Sequence, residues 1–388
     1  MVWLWCCSQK NHKEMKKVKL CILQNGLARG GTDTFVVNLC NGLDKDKYDV
    51  TVVNPCEKPE LRVREPDVLS SGAKISHTHP LEGLMGRLKH LYRLFHLLKK
   101  GKFDVFQTNI DLFNGPQLLV AWLAGVPVRC CHSHNTMQQK SLKEGMTLPI
   151  LIYQALMKWM CWTFSNRRSG CSEDAMNFLF SGRNWHQDKY PIVINNGIEI
   201  ERFRRHIDIA AKKKKLGLSA KFNIVTIGHI IPQKNPIFIA ESFCTLCRLR
   251  NDVDFVWIGN GQLRQQCESI LKNNGYLERV HFLGTRDDVN EVLACCDLFY
   301  MPSAFEGLGI VIIEAQAAGL KCLASDVVPK EANCGGVLYK SLNDSVDSWA
   351  QTMSDMLDGK IVLSINEDKI QEFSIGNMVN QMEQVFKK

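Results

Sequence analysis

The chain has 388 residues, 45% of them hydrophobic, and carries a formal net charge of +8. This length suits two domains of ordinary size, and the apolar content excludes an intrinsically disordered chain. No apolar run approaches the roughly 18 residues that a spanning helix needs, so we expect no membrane-spanning segment.

The cysteines and the N-terminal residues indicate a cytoplasmic protein. Sixteen cysteines are irregularly spaced, a pattern typical of reduced, buried thiols. The Cys-x-x-Cys pair, Cys244 and Cys247, lacks the second pair that a zinc site requires. Residues 1–15 lack the basic start and the cleavage site of a signal peptide, and we interpret them as an N-terminal extension.

Short apolar segments alternate with helical ones along the chain, which indicates parallel sheets with helices on both faces. The predicted strands are Val18–Leu23, Asp49–Val53, Val105–Thr108, Val126–Cys131, Asn223–Ile227, Asp254–Ile258, Val280–Phe282, Leu298–Met301 and Lys321–Ala324. The predicted helices include Asp33–Leu43, Leu84–Lys99, Ile237–Leu249 and Gln262–Asn273.

These strands are too many for one compact sheet, and a turn-rich, then lysine-rich segment near residues 195–220 predicts a hinge. We therefore predict an α/β protein of two doubly wound, Rossmann-like domains that face each other across a cleft. The predicted domains are residues 16–198 and 199–370. Residues 371–388 are expected to form a C-terminal helix that packs back on the first domain.

Ligands of doubly wound sheets bind at the carboxyl ends of the strands, and five motifs lie at such positions. The first is Gly30-Gly31, where a glycine pair lets backbone amides approach an anion. A tight turn with Asp33 as helix cap explains it equally well.

The second motif is Cys131-His132-Ser133-His134-Asn135, at the end of a predicted strand. Two imidazoles in such a loop can supply hydrogen bonds or transfer protons near neutral pH. The alternative is a pair of surface histidines, and no cluster of carboxylates or thiols nearby completes a metal shell.

The third and fourth motifs follow two strands of the second half. Gly228-His229 leads to Lys234, and a lysine beside a helix start can hold a diphosphate. Gly259-Asn260-Gly261 would let a flat ring or a phosphate approach. An ordinary solvent-exposed lysine is the alternative at Lys234, and Asp252-Val253-Asp254 lies at the wrong end of its strand for a metal at the ligand edge.

The fifth motif is the most specific. Glu306 and Glu314 flank the turn Gly307-Leu308-Gly309, which leads into an apolar helix. A carboxylate buried in such a helix needs partners, and the paired hydroxyls of a ribose would serve. The amides of Leu308 and Gly309 offer a second place for a phosphate. The alternative is ordinary acidic capping of a helix.

In this order the five motifs resemble glycosyltransferase family 4, whose fold is GT-B, and in particular its members that build capsule or exopolysaccharide. The resemblance runs from about Val18 to the C-terminus. Phe305-Glu306-Gly307 with Glu314-Ala315 matches the family's Glu-x7-Glu motif, and Val193–Ile198 followed by Phe203 is similar to its Pro-Asn-Gly segment.

The resemblance implies a retaining glycosyltransferase that needs no metal or other cofactor. The donor would be a nucleotide sugar, expected to be UDP-linked, and the acceptor a lipid-linked or growing saccharide. The implied catalytic residues are Glu306, which would hold the hydroxyls of the donor sugar, His132, which would lie beside that sugar, and Lys234, which would neutralise the diphosphate. The implied donor-binding residues are Gly30, Gly31, Gly228, His229, Lys234, Gly259, Gly261, Val289 (at the base), Glu306, Gly307, Leu308, Gly309 and Glu314 (at the ribose), with His134 and Asn135 on the acceptor side.

One departure from the family is His229, which stands where an arginine is usual. A histidine lacks the fixed charge and the fork of an arginine. One alternative, which rests on His229, is a non-catalytic nucleotide-sugar-binding protein. A nucleotide-sugar 2-epimerase of the same fold is the other, although the Glu-x7-Glu element does not point to it. Scattered basic residues without stacking aromatics disfavour nucleic acid as a partner.

The helix Leu84–Lys99 predicts peripheral attachment to an anionic membrane, at the inner face of the membrane if the family resemblance holds. Its apolar residues fall on one face and its basic residues, with His90 and His96, on the rest. A core-facing helix would show the same apolar stripe. The apolar stretch Leu148–Phe164 could add to the same surface. The apolar face is predicted to hold Leu84, Leu88, Leu91, Leu94, Phe95 and Leu98.

Overall fold

The computed structural model describes residues 16–28, 30–135, 147–190 and 193–387. Two parallel sheets, each of six strands within these residues, form the centres of two domains. The interpretation of residues 1–15 as an extension lies outside the described residues.

The first sheet has the strand order β3-β2-β1-β4-β5-β6. Its strands are β1 (Val18–Leu23), β2 (Tyr48–Asn54), β3 (Lys74–His77), β4 (Val105–Thr108), β5 (Val128–Ser133) and β6 (Arg167–Gly170). The helices of this domain are α1 (Gly31–Gly42), α2 (Glu65–Ser70), α3 (Gly83–Gly101), α4 (Asn114–Leu123), α5 (Leu148–Phe164) and α6 (Glu173–Phe180).

The second sheet has the order β12-β11-β10-β7-β8-β9. Its strands are β7 (Phe222–Ile227), β8 (Val253–Ile258), β9 (Val280–Gly284), β10 (Leu298–Met301), β11 (Lys321–Ser325) and β12 (Val337–Lys340). The helices that follow the first domain are α7 (Ile200–Phe203), α8 (Ile209–Leu216), α9 (Pro236–Leu249), α10 (Arg264–Asn273), α11 (Val289–Leu293), α12 (Ile310–Ala317), α13 (Val346–Leu357), α14 (Glu367–Gln371) and α15 (Ile375–Phe386).

The predicted fold class is confirmed, since two doubly wound parallel sheets are present. The prediction omitted β3, β6 and β12, which are edge strands of the two sheets. It also ended β5 two residues early, so that His132 and Ser133 belong to the strand and not to a loop. The segment near 195–220 contains the short helices α7 and α8, which pack against the second domain.

The chain passes between the domains at two adjacent places. The amide of Ile198 donates to the carbonyl of Phe373 at 2.8 Å, and Ile198 pairs with Ser374 as an isolated parallel bridge. After this second crossing, α15 packs against α1 and buries Met382 and Phe386 in the core of the first domain. The C-terminal helix therefore completes the first domain.

The apolar stripe of α3 is divided between the core and the surface. Leu94 and Leu98 are buried, whereas Leu84 and Leu88 are exposed. His90, which the sequence analysis placed on the polar face, is fully buried: its Nδ1 lies 2.7 Å from Thr78 Oγ1, and burial lowers its pKa to about 4. Among the described residues, no helix is long and apolar enough to cross a membrane.

Candidate active site

The candidate site lies where the carboxyl ends of the two sheets meet, and the two domains touch there through their backbones. A Cβ atom on Gly307 would lie only 1.7 Å from the carbonyl oxygen of His134, so the contact requires glycine. Ser172 Oγ donates to the carbonyl of Gly307 at 2.5 Å. A second approach places Gly31, at the start of α1, against Ile310, at the start of α12.

Two of the predicted site residues form an ion pair. Lys234 Nζ lies 2.5 Å from Glu306 Oε1, and Glu306 is only 5% exposed. Gln233 holds the two loops together, because its carbonyl accepts from the amide of Ala304 at 2.8 Å. A buried charge pair is held in place by its own attraction, and removal of one partner leaves the other charge uncompensated. The predicted roles of Lys234 and Glu306 are therefore coupled.

Glu314 lies in the helix α12, one turn after its first residue, and faces the cleft with part of its surface exposed. Its carboxylate makes no hydrogen bond or ion pair with the described part of the chain. Burial raises the pKa of Glu314 to about 7, while the charges of Arg202 and Arg64 act in the opposite direction. Such a carboxylate can accept hydrogen bonds from a ligand that enters the cleft.

Arg64 and Arg202 are site residues that the sequence analysis missed. Arg64 belongs to the first domain, where its guanidinium donates to Thr34 on α1 at 3.0 Å and to Asp67 at 2.9 Å. Arg202 lies on α7 and binds the carbonyl of Asp287. The charges of both arginines lower the pKa of Glu314, although both residues are distant from it in sequence. Neither belongs to a motif, so they could not be found from local residue spacing.

His132 lies inside β5 and is fully buried, in contrast to the loop position that we predicted. Its ring stacks on Phe35 with centroids 4.8 Å apart, and its Nδ1 lies 2.7 Å from Ser169 Oγ. Burial, with a smaller contribution from His134, holds the pKa of His132 well below its usual value. His132 is therefore neutral near pH 7, which fits hydrogen bonding and not proton transfer between two charge states.

His134 and Asn135 are fixed by Asp111, a residue that the sequence analysis did not single out. Asp111 accepts from the amide of His134 at 3.0 Å and from Asn135 Nδ2 at 2.5 Å. Its backbone has a positive φ of 47°, which is uncommon outside glycine. Burial raises the pKa of Asp111 and lowers that of His134 to about 3. His134 thus presents its carbonyl, and not a charged ring, to Gly307.

The start of α1 shows the capping arrangement that was the alternative at the first motif. The carboxylate of Asp33 accepts from the amides of Ala28 and Gly30, each at 3.1 Å, and from Gln24 at 2.8 Å. Gly31 is nevertheless at the interdomain contact, so the glycine pair serves both the turn and the approach of the domains.

The glycines of the second domain are largely required by its own loops. A Cβ atom on Gly259 would lie 2.0 Å from the carbonyl oxygen of Gly228, and one on Gly261 would lie 2.3 Å from that of Ile230. The loops after β7 and β8 therefore pack backbone to backbone, while His229 between them is exposed.

The remaining predicted positions lie around the same edge of the second sheet. Gly309 has a φ of 78° and precedes the first residue of α12, and Leu308 is buried. Val289 begins α11 and packs on the core of the second domain. Arg202 donates a hydrogen bond to the carbonyl of Asp287, in the loop that precedes α11.

The Asp252-Val253-Asp254 segment lies at the opposite edge, where β8 begins. Asp252 pairs with Arg250 at 2.7 Å, and Asp254 lies 3.4 Å from His281. In the described ranges of the chain, no cluster of three or more His, Cys, Asp or Glu side chains could hold a metal ion.

Solved structures share this architecture. HepE of Anabaena, in complex with UDP and glucose, superposes with a TM-score of 0.78 at 16% identity over 94% of this chain and 98% of its own. Two facing Rossmann-like domains with a charged cleft define the GT-B class of glycosyltransferase folds.

Sequence comparison gives the family. Residues 29–202 match the model for Glycosyltransferase Family 4, and residues 221–359 match that for Glycosyl transferases group 1. The putative glycosyltransferase EpsF of Bacillus subtilis is 31% identical over 340 residues, covering 85% of each chain. A UDP-Gal:α-D-GlcNAc-diphosphoundecaprenol α-1,3-galactosyltransferase of Escherichia coli is 29% identical over 72% of this chain and 73% of its own. The chain belongs to glycosyltransferase family 4 and is a glycosyltransferase.

The raised pKa of Glu314 predicts a stabilising substitution. The pKa of the Glu314 carboxyl in the folded protein lies above its unfolded value near 4.5. The free energy of unfolding of the protein therefore falls as the pH rises from about 4.5 to about 7. We expect Glu314→Gln to match the wild type below this window and to exceed its free energy of unfolding by about 3 kcal/mol at most above it. Urea denaturation at pH 4.5 and pH 8 measures the difference, and equal stabilities at pH 8 would contradict it.

Proposed function

We propose that this enzyme transfers a sugar from a UDP-linked donor to a lipid-linked saccharide in polysaccharide biosynthesis, with retention of the anomeric configuration. The observation that carries the proposal is the Lys234–Glu306 pair, whose buried Glu306 lies in the loop before Gly307, where the second domain touches the first. Glu314 lies in the helix α12 that follows this loop. Together these residues combine a cation for a leaving diphosphate with two carboxylates for sugar hydroxyls.

Glu314 is proposed to bind the donor ribose, because its carboxylate faces the cleft and is not hydrogen-bonded within the described residues. Lys234 would meet the diphosphate, and the contact with this anion would draw it from Glu306. Glu306, once released, could accept hydrogen bonds from the hydroxyls of the donor sugar. Binding of the donor would thus exchange one ion pair for another.

Relatives support the identity of the two substrates. UDP-Gal and α-D-GlcNAc-diphosphoundecaprenol appear in the name of the E. coli relative. A second relative, of Campylobacter jejuni, is named as an N-acetylgalactosaminyltransferase acting on a diphospho-undecaprenol saccharide. The relatives named here are transferases, so neither the 2-epimerase nor the non-catalytic alternative gains support from them.

We expect Lys234→Ala to reduce kcat far more than it weakens donor binding, because the negative charge on the diphosphate grows as the bond to the sugar breaks. Donor hydrolysis and transfer are measured in excess EDTA, where we expect the wild type to remain active. Lys234→Arg, which retains the charge, should recover part of kcat.

Loss of the Lys234 charge also leaves Glu306 buried without its cation, so the fold of the variant needs a check. Lys234→Ala combined with Glu306→Gln removes both charges and serves as the control for local misfolding. An increase in donor Kd that accounts for the whole defect would show that Lys234 acts in the ground state only.

The ribose role of Glu314 is tested by the same Glu314→Gln variant that we expect to be more stable. A hydrogen bond to a charged group contributes about 1.5–3 kcal/mol, so UDP should bind roughly ten-fold or more weakly. Isothermal titration with UDP measures this at pH 8. Unchanged affinity in a stabilised protein would remove Glu314 from the donor site.

An exposed apolar surface supports peripheral attachment to the membrane. It lies on α3, α4 and α5, which pack side by side. Exposed basic residues accompany it on α3, among them Arg87, Lys89 and Arg93. Large apolar side chains can enter the boundary of a bilayer while basic ones meet anionic headgroups. The exposed apolar residues are Leu84, Met85, Leu88, Tyr92, Trp122, Leu123, Leu148, Leu151, Ile152, Leu156 and Trp159.

We expect the protein to float with anionic liposomes at low salt, to be released at high salt, and to ignore neutral liposomes. Leu84→Glu should weaken flotation, because Leu84 is 76% exposed on α3. Val362→Glu is the matched control, since Val362 is 83% exposed on the second domain. Equal flotation of both variants would exclude α3 from the attachment surface.

A further inference from the structure

The strand β5 runs past the end of its neighbour β4. At their last paired position, Thr108 of β4 lies beside Cys131, and β5 then continues to Ser133. His132 is the first residue beyond the end of β4. Buried backbone groups at such a place need partners other than a neighbouring strand.

Two side chains supply these partners. The carbonyl of His132 accepts from Asn114 Nδ2 at 3.2 Å, and the amide of His134 donates to the carboxylate of Asp111 at 3.0 Å. Both side chains come from the segment that follows β4, where Asn114 is the first residue of α4. The carboxyl end of β5 is therefore held by side chains at the edge where β4 has ended.

Asn114 is fully buried and uses every hydrogen-bonding position of its side chain. Its Nδ2 also lies 3.5 Å from Cys131 Sγ. Its Oδ1 accepts from the amide of Ile110 at 2.7 Å and from Thr108 Oγ1 at 2.8 Å. An ionised carboxylate lacks the donors, and a hydrocarbon side chain lacks donors and acceptors alike. Only an amide of this size can satisfy all four groups.

Further buried polar groups hold Asn114 against α3. Thr108 Oγ1 lies 3.0 Å from the side-chain oxygen of Gln117, whose nitrogen lies 3.3 Å from His90 Nε2. All of these residues are fully buried. A connected network of buried hydrogen bonds makes the segment that contains it rigid. The position of Asn114, and with it the end of β5, is therefore narrowly defined.

The imidazole of His132 has one nitrogen left for a ligand. Its Nε2 is buried, and within the described ranges of the chain it has no hydrogen-bond partner. An unpaired polar atom in such a place disfavours the folded state, and a ligand hydroxyl would relieve this. Because the ring is fixed against Phe35 and Ser169, a shift of the backbone at His132 would move Nε2 with it.

We propose that Asn114 is a positioning residue for the transfer reaction, which holds the end of β5 so that His132 Nε2 meets a hydroxyl of the donor sugar. The proposal rests on the proposed function and adds a residue that touches neither substrate. Its effect is confined to the sugar, since Glu314 and Lys234, the residues proposed to meet the ribose and the diphosphate, belong to the second domain. Loss of the position lowers kcat and leaves the affinity for UDP unchanged.

Asn166 offers a matched control, because it holds the opposite end of β5 in the same way. Its Oδ1 accepts from the amide of Arg129 at 2.8 Å, and its Nδ2 donates to the carbonyl of Pro127 at 2.7 Å. This end of the strand lies at the edge of the sheet away from the candidate site. The control therefore removes an equivalent pair of hydrogen bonds from the same strand.

The probes are UDP-glucose, UDP-galactose, UDP-N-acetylglucosamine and UDP-N-acetylgalactosamine, and the donor that is hydrolysed fastest is used for the variants. Asn114→Ala and Asn166→Ala should both lower the urea midpoint of unfolding. Only Asn114→Ala should lower kcat of donor hydrolysis, by about ten-fold or more, because a small misplacement of a catalytic group has effects of this size. Titration calorimetry should give both variants the UDP Kd of the wild type. Equal kcat values for the two variants would overturn the proposal.

A double-mutant cycle tests whether Asn114 acts through His132. His132→Ala should lower kcat, and addition of Asn114→Ala to that variant should lower it no further. Two effects that multiply would show that Asn114 acts independently of His132, and the positioning role would be wrong.

Asn114→Asp covers the case in which Asn114→Ala does not fold. A protonated carboxyl can donate to the carbonyl of His132, whereas an ionised one cannot, and burial raises the pKa of the new carboxyl. We expect kcat of this variant, relative to the wild type, to rise as the pH falls from 8 to 6, while UDP binding at both pH values shows that the protein is folded. The titratable neighbours Asp111, Cys131 and His90 are present in both proteins, so their own effects cancel in the ratio. A ratio independent of pH would contradict the proposal.

The outcomes separate this proposal from the proposed function. Hydrolysis by the wild type together with equal kcat values for Asn114→Ala and Asn166→Ala would overturn the positioning role while the transferase activity stands. A wild type that neither hydrolyses any of the four donors nor transfers from them to a polyprenyl diphosphate saccharide would overturn both.

Discussion

The arrangement of the cleft depends on one backbone contact, between Gly307 of the second domain and the carbonyl of His134 of the first. Any side chain at position 307 would collide with that oxygen, and the two sheet edges would have to separate. Asp111 accepts hydrogen bonds from the amide of His134 and the side chain of Asn135. These bonds fix the place at which the His134 carbonyl meets Gly307. Each domain thus supplies half of a surface that exists only while the two are in contact.

Among the described residues, the charges at this surface are not all paired directly. Lys234 and Glu306 neutralise each other, whereas Glu314 has a raised pKa and two arginines near it without a direct bond. A protein selected for stability alone would remove such a carboxylate or pair it, since its burial disfavours the charged form. A carboxylate in a helix whose other residues are apolar apart from Gln316 is the pattern expected where a ligand completes the arrangement, and carboxylates with shifted pKa values concentrate at functional sites.

Sequence patterns predicted the central strands because these are rich in apolar residues and buried on both faces, as β10 illustrates. The edge strands β3 and β6 were missed because each has only four residues and most of these are not apolar. At the site, residues within one motif could be found from spacing, which is why Glu306 and Glu314 were identified. Arg64 could not, because its approach to Glu314 arises from the packing of two domains. The burial of His132 followed from two more residues of strand, a boundary that local patterns do not define.

The return of α15 to the first domain has a consequence for how the chain folds. The core of that domain includes Met382 and Phe386, so its residues come from both sides of the second domain, which is in effect an insertion within it. The hydrophobic face of α1 that α15 covers therefore stays exposed until α15 has been synthesised and has left the ribosome. The second domain, which is continuous, can fold during that interval. The domain that is synthesised first is thus the one that is finished last.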